Sequence, residues 1–258
     1  MCRGPLEAAF GPVKALELSK VVVRFGALRA VDGASLSLER GERRAVIGPN
    51  GAGKTTLFNA ITGVIRPAEG RVVIEGWDGT RASPQARARR GVGRTFQITN
   101  LFPELTIAEN MRVALRGLTA GKWNFWGSDD AGGGRAAIAE ALAAARLEGQ
   151  DEVQVKHLSY GAQRQLELAM ALVQKPRLLL LDEPAAGLSP VERGAVADIV
   201  RALPRDIAMV LIEHDMDLAL GLVDSVTVMH EGRVLLEAAP DQIRGNAQVQ
   251  EVYLGRAA

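Results

Sequence analysis

The sequence predicts an α/β protein with a parallel-sheet core, an antiparallel layer near the N-terminus and an inserted helical segment. A glycine-rich segment at residues 48–55 follows a short apolar run and precedes a helical pattern. Unbroken apolar runs at 178–181 and 209–212 are typical of parallel strands that helices cover on both faces. Between these regions, over residues 97–156, the pattern is helical and interrupted.

The N-terminal part predicts short strands joined by turns. Its alternating apolar runs lie at residues 16–18, 21–23, 36–38, 44–47 and 71–74. Because turn-forming residues separate these runs, we expect a small antiparallel layer. Residues 1–13 are rich in Gly, Pro and Ala and predict a flexible tail.

Two further elements follow from local patterns. An apolar stripe at helical spacing predicts an amphipathic helix, and its members are Ile138, Ala141, Leu142 and Ala145. Apolar runs at 226–229 and 233–236 flank a Glu-Gly pair, which predicts a hairpin. Trp123 and Trp126 lie between glycines, and they either pack within the inserted segment or contact a partner.

The composition narrows the class of protein. A length of 258 residues fits one large α/β domain or a core with a small inserted subdomain. The net charge of +1 argues against a nucleic-acid binder that relies on a strong basic field. Cys2 is the single cysteine, so an internal disulfide is excluded and a reducing compartment is favoured. No apolar run reaches the roughly 18 residues that a membrane-spanning helix needs, so we expect membrane association only through a protein partner.

The glycine-rich segment carries the strongest chemical signal. Residues 48–55 match the pattern G-x-x-x-x-G-K-[ST] between a strand and a helix. Glycines let successive backbone N–H groups surround phosphate oxygens, and the start of a helix favours anions. Lys54 supplies a charge for the β- and γ-phosphates, and the Thr55 hydroxyl can ligate Mg²⁺. The residues expected to bind the nucleotide are Asn50, Gly51, Ala52, Gly53, Lys54, Thr55 and Thr56.

Two carboxylates and a histidine follow the apolar runs. Open α/β sheets bind ligands at the C-terminal ends of their strands, so Asp182 is the expected Mg²⁺ ligand. Glu183 is then the residue expected to polarise the attacking water, although such a pair alone is most often a solvated loop. His214 ends the second run and is expected at the γ-phosphate, whereas His157 and His230 are interpreted as surface residues.

Further motifs resemble those of the ABC (ATP-binding cassette) ATPases. Residues 158–163, Leu-Ser-Tyr-Gly-Ala-Gln, are similar to the L-S-G-G-Q signature of that family. Phe25 matches its adenine-stacking aromatic, Gln97 its Q-loop, residues 185–190 its D-loop and His214 its switch histidine. The resemblance covers residues 15–255 and includes six motifs in the family's order.

The resemblance implies the ABC ATPase fold. This is a P-loop NTPase (RecA-like) parallel-sheet core with an N-terminal antiparallel β-subdomain and an inserted α-helical subdomain. One cassette is expected over residues 14–258. Its core and antiparallel β-subdomain would occupy 14–96 and 165–258, and its helical subdomain with the signature would occupy 97–164.

The resemblance also implies the ligands and a shared site. The chain would bind ATP and Mg²⁺. The implied catalytic residues are Lys54, Glu183, His214 and Gln97. The implied Mg²⁺ ligands are Thr55, Asp182 and again Gln97. In the family two subunits pair head-to-tail, so Ser159 and Gly161 would face a γ-phosphate bound to the second subunit.

Three residues depart from the family pattern. Tyr160 and Ala162 replace the usual Gly and Gln of the signature. Because Ser159 and Gly161 are retained, we expect Tyr160 to point away from the phosphate. Ser189 replaces the usual Asp of the D-loop, which puts in doubt the contact between subunits there but not hydrolysis.

Several segments are similar to the ATP-binding subunits of branched-chain amino acid importers. They are residues 91–97, 182–188, 212–216 and 252–255. Related urea importers and lipopolysaccharide exporters share some of these segments. Two alternatives of other classes remain. One is a soluble ABC protein of DNA repair or translation, and the other is a P-loop small-molecule kinase or nucleotide-binding regulatory module. The importer interpretation implies permease subunits, a second ATP-binding subunit and, indirectly, a periplasmic substrate-binding protein. It implies no nucleic acid, and a peripheral position on the cytoplasmic face of the inner membrane.

Overall fold

A computed structural model of the chain describes residues 13–95, 101–117 and 134–254. The strands are β1 Leu16–Phe25, β2 Leu28–Leu38, β3 Arg43–Ile47, β4 Glu69–Ile74, β5 Trp77–Asp78, β6 Val92–Arg94, β7 Leu178–Asp182, β8 Ala208–Ile212, β9 Ser225–His230 and β10 Arg233–Ala238. The helices are α1 Lys54–Thr62, α2 Pro84–Ala88, α3 Ile107–Arg116, α4 Gly134–Ala144, α5 Tyr160–Leu172, α6 Pro190–Ala202, α7 Met216–Leu220, α8 Pro240–Arg244 and α9 Ala247–Leu254. A 3-10 helix spans Val155–His157.

One sheet of the described chain is antiparallel and lies near the N-terminus. Its strand order is β2-β1-β4-β5, and β1 pairs with both β2 and β4. Leu16 and Leu18 point into the core, because alternate side chains of a strand share one face, and the register of β1 shifts before the next buried residue, Val21. The predicted antiparallel layer is therefore confirmed, with one correction. Residues 44–47 do not belong to it.

Those residues form β3, which lies inside the second sheet. The order there is β10-β9-β3-β8-β7-β6, and β3 runs parallel to β8 on one side and β9 on the other. Every residue of β3 is buried, so this strand suits an interior position better than an edge layer. The turn-forming residues before β3 therefore lead from the antiparallel sheet into the parallel one and do not join two strands of one antiparallel layer.

The second sheet brings distant segments to one edge. β6, β7, β8, β3 and β9 run parallel to one another, and β10 completes the predicted hairpin by pairing antiparallel with β9. The runs at 178–181 and 209–212 are buried strands of this sheet, as predicted. Because parallel strands end at the same edge, the residues that follow β3, β7 and β8 lie together there.

A helical layer packs beside this sheet. α3, α4 and α5 share one apolar cluster that contains Ile107, Leu142 and Leu166. All members of the predicted stripe are buried in it: Ile138, Ala141, Leu142 and Ala145. The predicted subdomain boundary at 164/165 stays a prediction, and α5 runs through that position. Trp123, Trp126 and nearly all of the predicted tail lie outside the described residues.

A buried arginine from α2 caps the C-terminal end of α1, the helix that follows the glycine-rich loop. Arg87 is 1% exposed, and its Nη1 donates to the carbonyl oxygens of Ala60 and Ile61, each at 2.5 Å. These carbonyls belong to the last turn of α1, where acceptors have no partner within the helix. Burial lowers the pKa of Arg87 to about 10. None of the helices in the described ranges has the length and hydrophobicity that a membrane span requires.

Candidate active site

The glycine-rich loop has a backbone that excludes side chains at two positions. Gly48 and Gly53 have φ values of 150° and 97°. A Cβ atom at Gly48 would lie 2.1 Å from the carbonyl oxygen of Met229, and one at Gly53 would lie 2.3 Å from that of Ala30. The loop therefore requires glycine at these positions, both for its dihedral angles and for its close contact with neighbouring strands.

Lys54 closes the loop on itself. Its side chain is buried, and Nζ donates to the carbonyl oxygens of Gly48 at 2.7 Å and Pro49 at 2.9 Å. Burial lowers the pKa of Lys54, and the negative charges of Glu183 and Asp182 act in the opposite direction. The structure thus brings the predicted phosphate-binding lysine within electrostatic reach of both predicted carboxylates.

The two carboxylate oxygens of Asp182 differ in their hydrogen bonds. The residue is 1% exposed, and its Oδ2 accepts from Nη2 of Arg94 at 3.0 Å. Its Oδ1 is buried and has no hydrogen-bond partner among the described residues. Burial raises the pKa of Asp182, while the hydrogen bond and the charge of Arg94 lower it. A buried carboxylate oxygen that lacks a partner costs free energy unless a cation or a donor reaches it.

These residues fit a magnesium ion. Mg²⁺ takes oxygen ligands and is usually held by one or two carboxylates, water and substrate phosphates. The orphaned Oδ1 of Asp182 and the exposed hydroxyl-bearing Thr55, in the first turn of α1, supply that donor chemistry. Within the part of the chain that the structure describes, no three His, Cys, Asp or Glu side chains gather into a metal site. Mg²⁺ bound there would usually take further ligands from water and substrate phosphates.

Glu183 and His214 are held together at the sheet edge. Nε2 of His214 lies 2.6 Å from Oε1 of Glu183. Glu183 is buried, has a φ of 51°, and its backbone N–H donates to the carbonyl oxygen of Ile212 at 2.9 Å. A left-handed backbone at a non-glycine residue is costly, and active sites are among the places where it is kept. The two predicted catalytic side chains are thus brought into contact.

Glu213 is a residue whose role the sequence did not reveal. Its side chain is buried, and Oε1 accepts from the backbone N–H of Ala185 at 2.9 Å. Burial raises the pKa of Glu213, and the hydrogen bonds from Ala185 and His214 lower it. The contact ties the loop after Glu183 to the end of β8. No local pattern distinguishes this glutamate from a solvated one.

The signature segment begins helix α5. The Oγ atom of Ser159 accepts from the N–H of Ala162 at 3.2 Å and so caps the helix. The N–H of Gly161 donates to Oε1 of Glu192 at 3.2 Å, and a Cβ atom at Gly161 would lie 2.6 Å from that oxygen. A carboxylate of the same chain therefore contacts the amide at which the family resemblance implies a phosphate.

The same glutamate also binds the D-loop. Ser189 caps α6, and Oε2 of Glu192 accepts from the Ser189 hydroxyl at 2.7 Å and from its N–H at 3.1 Å. Glu192 thus links Ser189 to Gly161 within one chain. The serine that departs from the family pattern has a local structural role as a helix cap.

Tyr160 packs toward the D-loop of its own chain. Its hydroxyl accepts from Nη2 of Arg164 at 2.8 Å, and its ring lies 3.3 Å from the position that a Cβ atom would take at Gly187. The side chain is 42% exposed. That Tyr160 points away from a bound phosphate stays a prediction.

The last described helix reaches the nucleotide loop. The hydroxyl of Tyr253 in α9 accepts from the backbone N–H of Gly48 at 2.8 Å. Burial raises the pKa of Tyr253, and the Gly48 N–H lowers it. The sequence associated residues 252–255 with a family subgroup but gave no indication of this contact.

The remaining predicted residues lie at the rim or outside the description. Phe25 ends β1 and is 51% exposed, so its ring is accessible to a planar ligand. The hairpin of β1 and β2 borders the loop, since the carbonyl of Ala30 lies close to Gly53. Asn50, Gly51 and Thr55 are exposed, and Thr56 is half-buried. Gln97 lies outside the described residues.

Known protein sequences resemble the chain over most of its length. The ABC transporter family profile matches residues 31–186. The ATP-binding protein BraF of high-affinity branched-chain amino acid transport in Pseudomonas aeruginosa is 40% identical over 253 residues, covering 94% of this chain and 98% of BraF. LivG of Escherichia coli K12, which carries the same description, is 40% identical over 252 residues with the same coverage.

Solved structures show the same fold. The ADP conformation of an ATP-binding cassette from an ABC transporter superposes with a TM-score of 0.82 at 29% identity, covering 94% of this chain and 99% of that chain. A dimeric cassette in a post-hydrolysis state with ADP and Pi has a TM-score of 0.73 at 26% identity, covering 87% and 98%.

Proposed function

Since this chain belongs to the ABC transporter family and is an ATP-hydrolysing subunit, we propose that the transporter it serves imports branched-chain amino acids. The observation that carries the proposal is 40% identity, over 94% of the chain, to BraF and LivG. The net charge of +1 also fits a permease partner better than a nucleic acid. The chain would bind peripherally, through its permease subunits, to the cytoplasmic face of the inner membrane.

The geometry supports a mechanism for ATP hydrolysis. Amides of the glycine-rich loop and the Lys54 ammonium would bind the phosphates, and phosphate oxygens would replace the carbonyl oxygens that Lys54 now contacts. The exposed ring of Phe25 would stack on adenine. Mg²⁺, held by Thr55 and Asp182 and, as the family implies, by Gln97, would neutralise charge on the β- and γ-phosphate oxygens.

Glu183 and His214 would act on the attacking water. Glu183 would accept its proton as a general base, and His214 would orient the carboxylate through the contact at 2.6 Å. Burial of Glu183 keeps the carboxylate out of bulk water, where a charge interaction is weaker. Lys54 and His214 would then stabilise the charge that spreads over the transferred phosphoryl group.

A second ATP-binding subunit would complete the site, either a copy of this chain or a related one. Ser159 is exposed at the start of α5, where backbone amides favour an anion. The start of α5 and the glycine-rich loop of one chain cannot readily contact the same nucleotide. The γ-phosphate of the nucleotide bound to the partner would therefore occupy the site at Ser159. The dimeric form of the related cassette supports this arrangement.

A permease helix would bind the cleft between the sheet and the helical layer. The cleft has a volume of about 280 Å³, and the side chains around it are mostly apolar, including Val64, Leu101 and Met170. Its wall also contains Arg94, which holds Asp182. A helix bound in the cleft would therefore contact Arg94 and could shift Asp182, the proposed Mg²⁺ ligand.

The proposal is tested by amino acid uptake in the source cells. Replacing the chain with a Glu183→Gln variant should abolish uptake of radiolabelled leucine, isoleucine and valine. Glu148→Gln, at an exposed position, is the matched control and should leave uptake unchanged. Unchanged leucine uptake in the Glu183→Gln cells, with loss of urea uptake or of lipopolysaccharide export instead, would refute the assignment.

A further inference from the structure

We propose that Arg94 is a positioning residue that holds one oxygen of Asp182 and thereby directs the other toward Mg²⁺. The proposal rests on the function proposed above and adds a residue to which no motif assigned a role in nucleotide or Mg²⁺ binding. Nη2 of Arg94 donates to Oδ2 of Asp182 at 3.0 Å, and Oδ1 has no hydrogen-bond partner in the described chain. The side chains are 9% and 1% exposed, so water competes little for either group.

Arg94 is itself fixed to the helix that follows the glycine-rich loop. Its Nη1 donates to Oδ1 of Asn59 at 2.7 Å and to Oγ1 of Thr62 at 3.2 Å. Both acceptors lie in α1, and the Thr62 hydroxyl is in turn held by the carbonyl of Phe58 at 2.9 Å. The guanidinium therefore spans from α1 to the end of β7.

The planar guanidinium suits this task better than an ammonium group. The N–H donors of a guanidinium have a fixed geometry. Because Nη1 of Arg94 is held by Asn59 and Thr62, the direction in which Nη2 donates to Asp182 is fixed as well. A carboxylate, in contrast, rotates easily about its last torsion. Fixing Oδ2 of Asp182 therefore also fixes where Oδ1 points.

Arg94 also prevents Asp182 from forming an ion pair with Lys54. Lys54 is the other cation whose charge acts on Asp182. Without Arg94 the buried carboxylate would lack its main partner and would turn toward Lys54, because an unpaired buried charge is costly. The lysine needed for phosphate and the carboxylate needed for Mg²⁺ would then neutralise each other.

The test measures nucleotide binding as a function of Mg²⁺ concentration. Fluorescent ATP is bound at equilibrium to the wild-type protein, Arg94→Met and Arg94→Lys, with Mg²⁺ titrated from zero. We expect Arg94→Met to need about 10–100-fold more Mg²⁺ for half-maximal binding, the usual effect of losing a partner of a metal ligand. Binding in EDTA should weaken by a smaller factor, because Asp182 would compete with phosphate for Lys54 but no Mg²⁺ ligand is involved, and Arg94→Lys should recover part of the Mg²⁺ affinity.

Controls separate this role from general stability. Arg205→Met removes an arginine–aspartate pair that is 66% and 44% exposed, and it should leave the Mg²⁺ dependence unchanged. If Arg94→Met does not fold, Asn59→Ala removes the anchor and should raise the Mg²⁺ requirement by a smaller factor. A folded Arg94→Met protein with the wild-type Mg²⁺ requirement would overturn the inference. A wild-type protein that neither binds nor hydrolyses Mg·ATP would instead overturn the proposed function.

Discussion

His214 Nε2 lies 2.6 Å from Glu183 Oε1, and this contact joins the ends of the neighbouring strands β7 and β8. The glutamate is buried, whereas the histidine side chain is half exposed. Contact with His214 therefore orients Glu183, and the exposed half of His214 is accessible to a phosphate that arrives from solvent. This arrangement leads to the first prediction.

Glu183→Gln should lower the rate of ATP hydrolysis about 10²–10⁴-fold, because a positioned general base is lost. ATP binding should be retained, since the glycine-rich loop and Lys54 are unchanged. Phosphate release and equilibrium binding of fluorescent ATP measure the two quantities. Hydrolysis at the wild-type rate would remove Glu183 from its proposed role, and Glu148→Gln serves as the control.

Tyr253→Phe should weaken nucleotide binding without unfolding the protein. The substitution removes the acceptor of the Gly48 N–H and retains the ring. A hydrogen bond of this kind contributes about 0.5–1.5 kcal/mol, so the dissociation constant for ATP should rise about 2–10-fold. Calorimetric titration gives the constant, and thermal melting gives the stability. An unchanged constant would mean that the contact does not influence the loop.

Glu192→Gln should make association of the proposed two-subunit complex easier. The carboxylate now accepts from the N–H of Gly161, and an incoming phosphate must displace it. Glutamine keeps an oxygen acceptor but removes the negative charge that repels phosphate. In a Glu183→Gln background, sedimentation velocity should show association at a several-fold lower ATP concentration. A higher ATP requirement would instead show that Glu192 assists closure.

Glu213→Gln should stabilise the protein increasingly as the pH rises from 4 to 8. Burial raises the folded-state pKa of Glu213, so folding favours its protonated form. For such a group stability is highest below the unfolded-state pKa of about 4.3 and falls as the pH rises through the folded-state pKa. Glutamine keeps an acceptor for the Ala185 N–H and carries no charge to bury.

Urea denaturation of both proteins across this pH range measures the effect. The difference in unfolding free energy should be small at pH 4 and should grow toward pH 8. A constant difference would show that the Glu213 carboxylate is equally stable in the folded and unfolded states. Glu148→Gln again controls for the loss of one negative charge.

The fold and part of the site followed from local sequence patterns. The leucine run of β7 and the apolar run of β8 are buried on both faces, and unbroken hydrophobicity of this kind is visible in one dimension. Glu183 and His214 were expected together because parallel strands end at a common edge. Apolar patterns and strand ends are local properties, so a single sequence records them.

Contacts between distant residues were not predictable. Arg94, Glu192, Glu213 and Tyr253 each use one polar group to bind a residue or amide that only tertiary packing brings near. Arg94, Glu213 and Tyr253 lie in segments that resemble the importer subunits, but nothing in those segments indicates the contact that each residue makes. Strand β3 was placed in the wrong layer for the same reason, because both of its partners lie more than a hundred residues further along the chain.

The position of β3 has a consequence for biosynthesis. Its hydrogen-bonding partners β8 and β9 span Ala208–Ile212 and Ser225–His230, while the antiparallel sheet is complete once β5 has formed at Trp77–Asp78. As the chain leaves the ribosome, the first sheet can assemble early, but β3 and the glycine-rich loop have no neighbouring strands until β8 and β9 have been made. ATP that binds this loop can therefore stabilise the fold only after β8 and β9 have emerged.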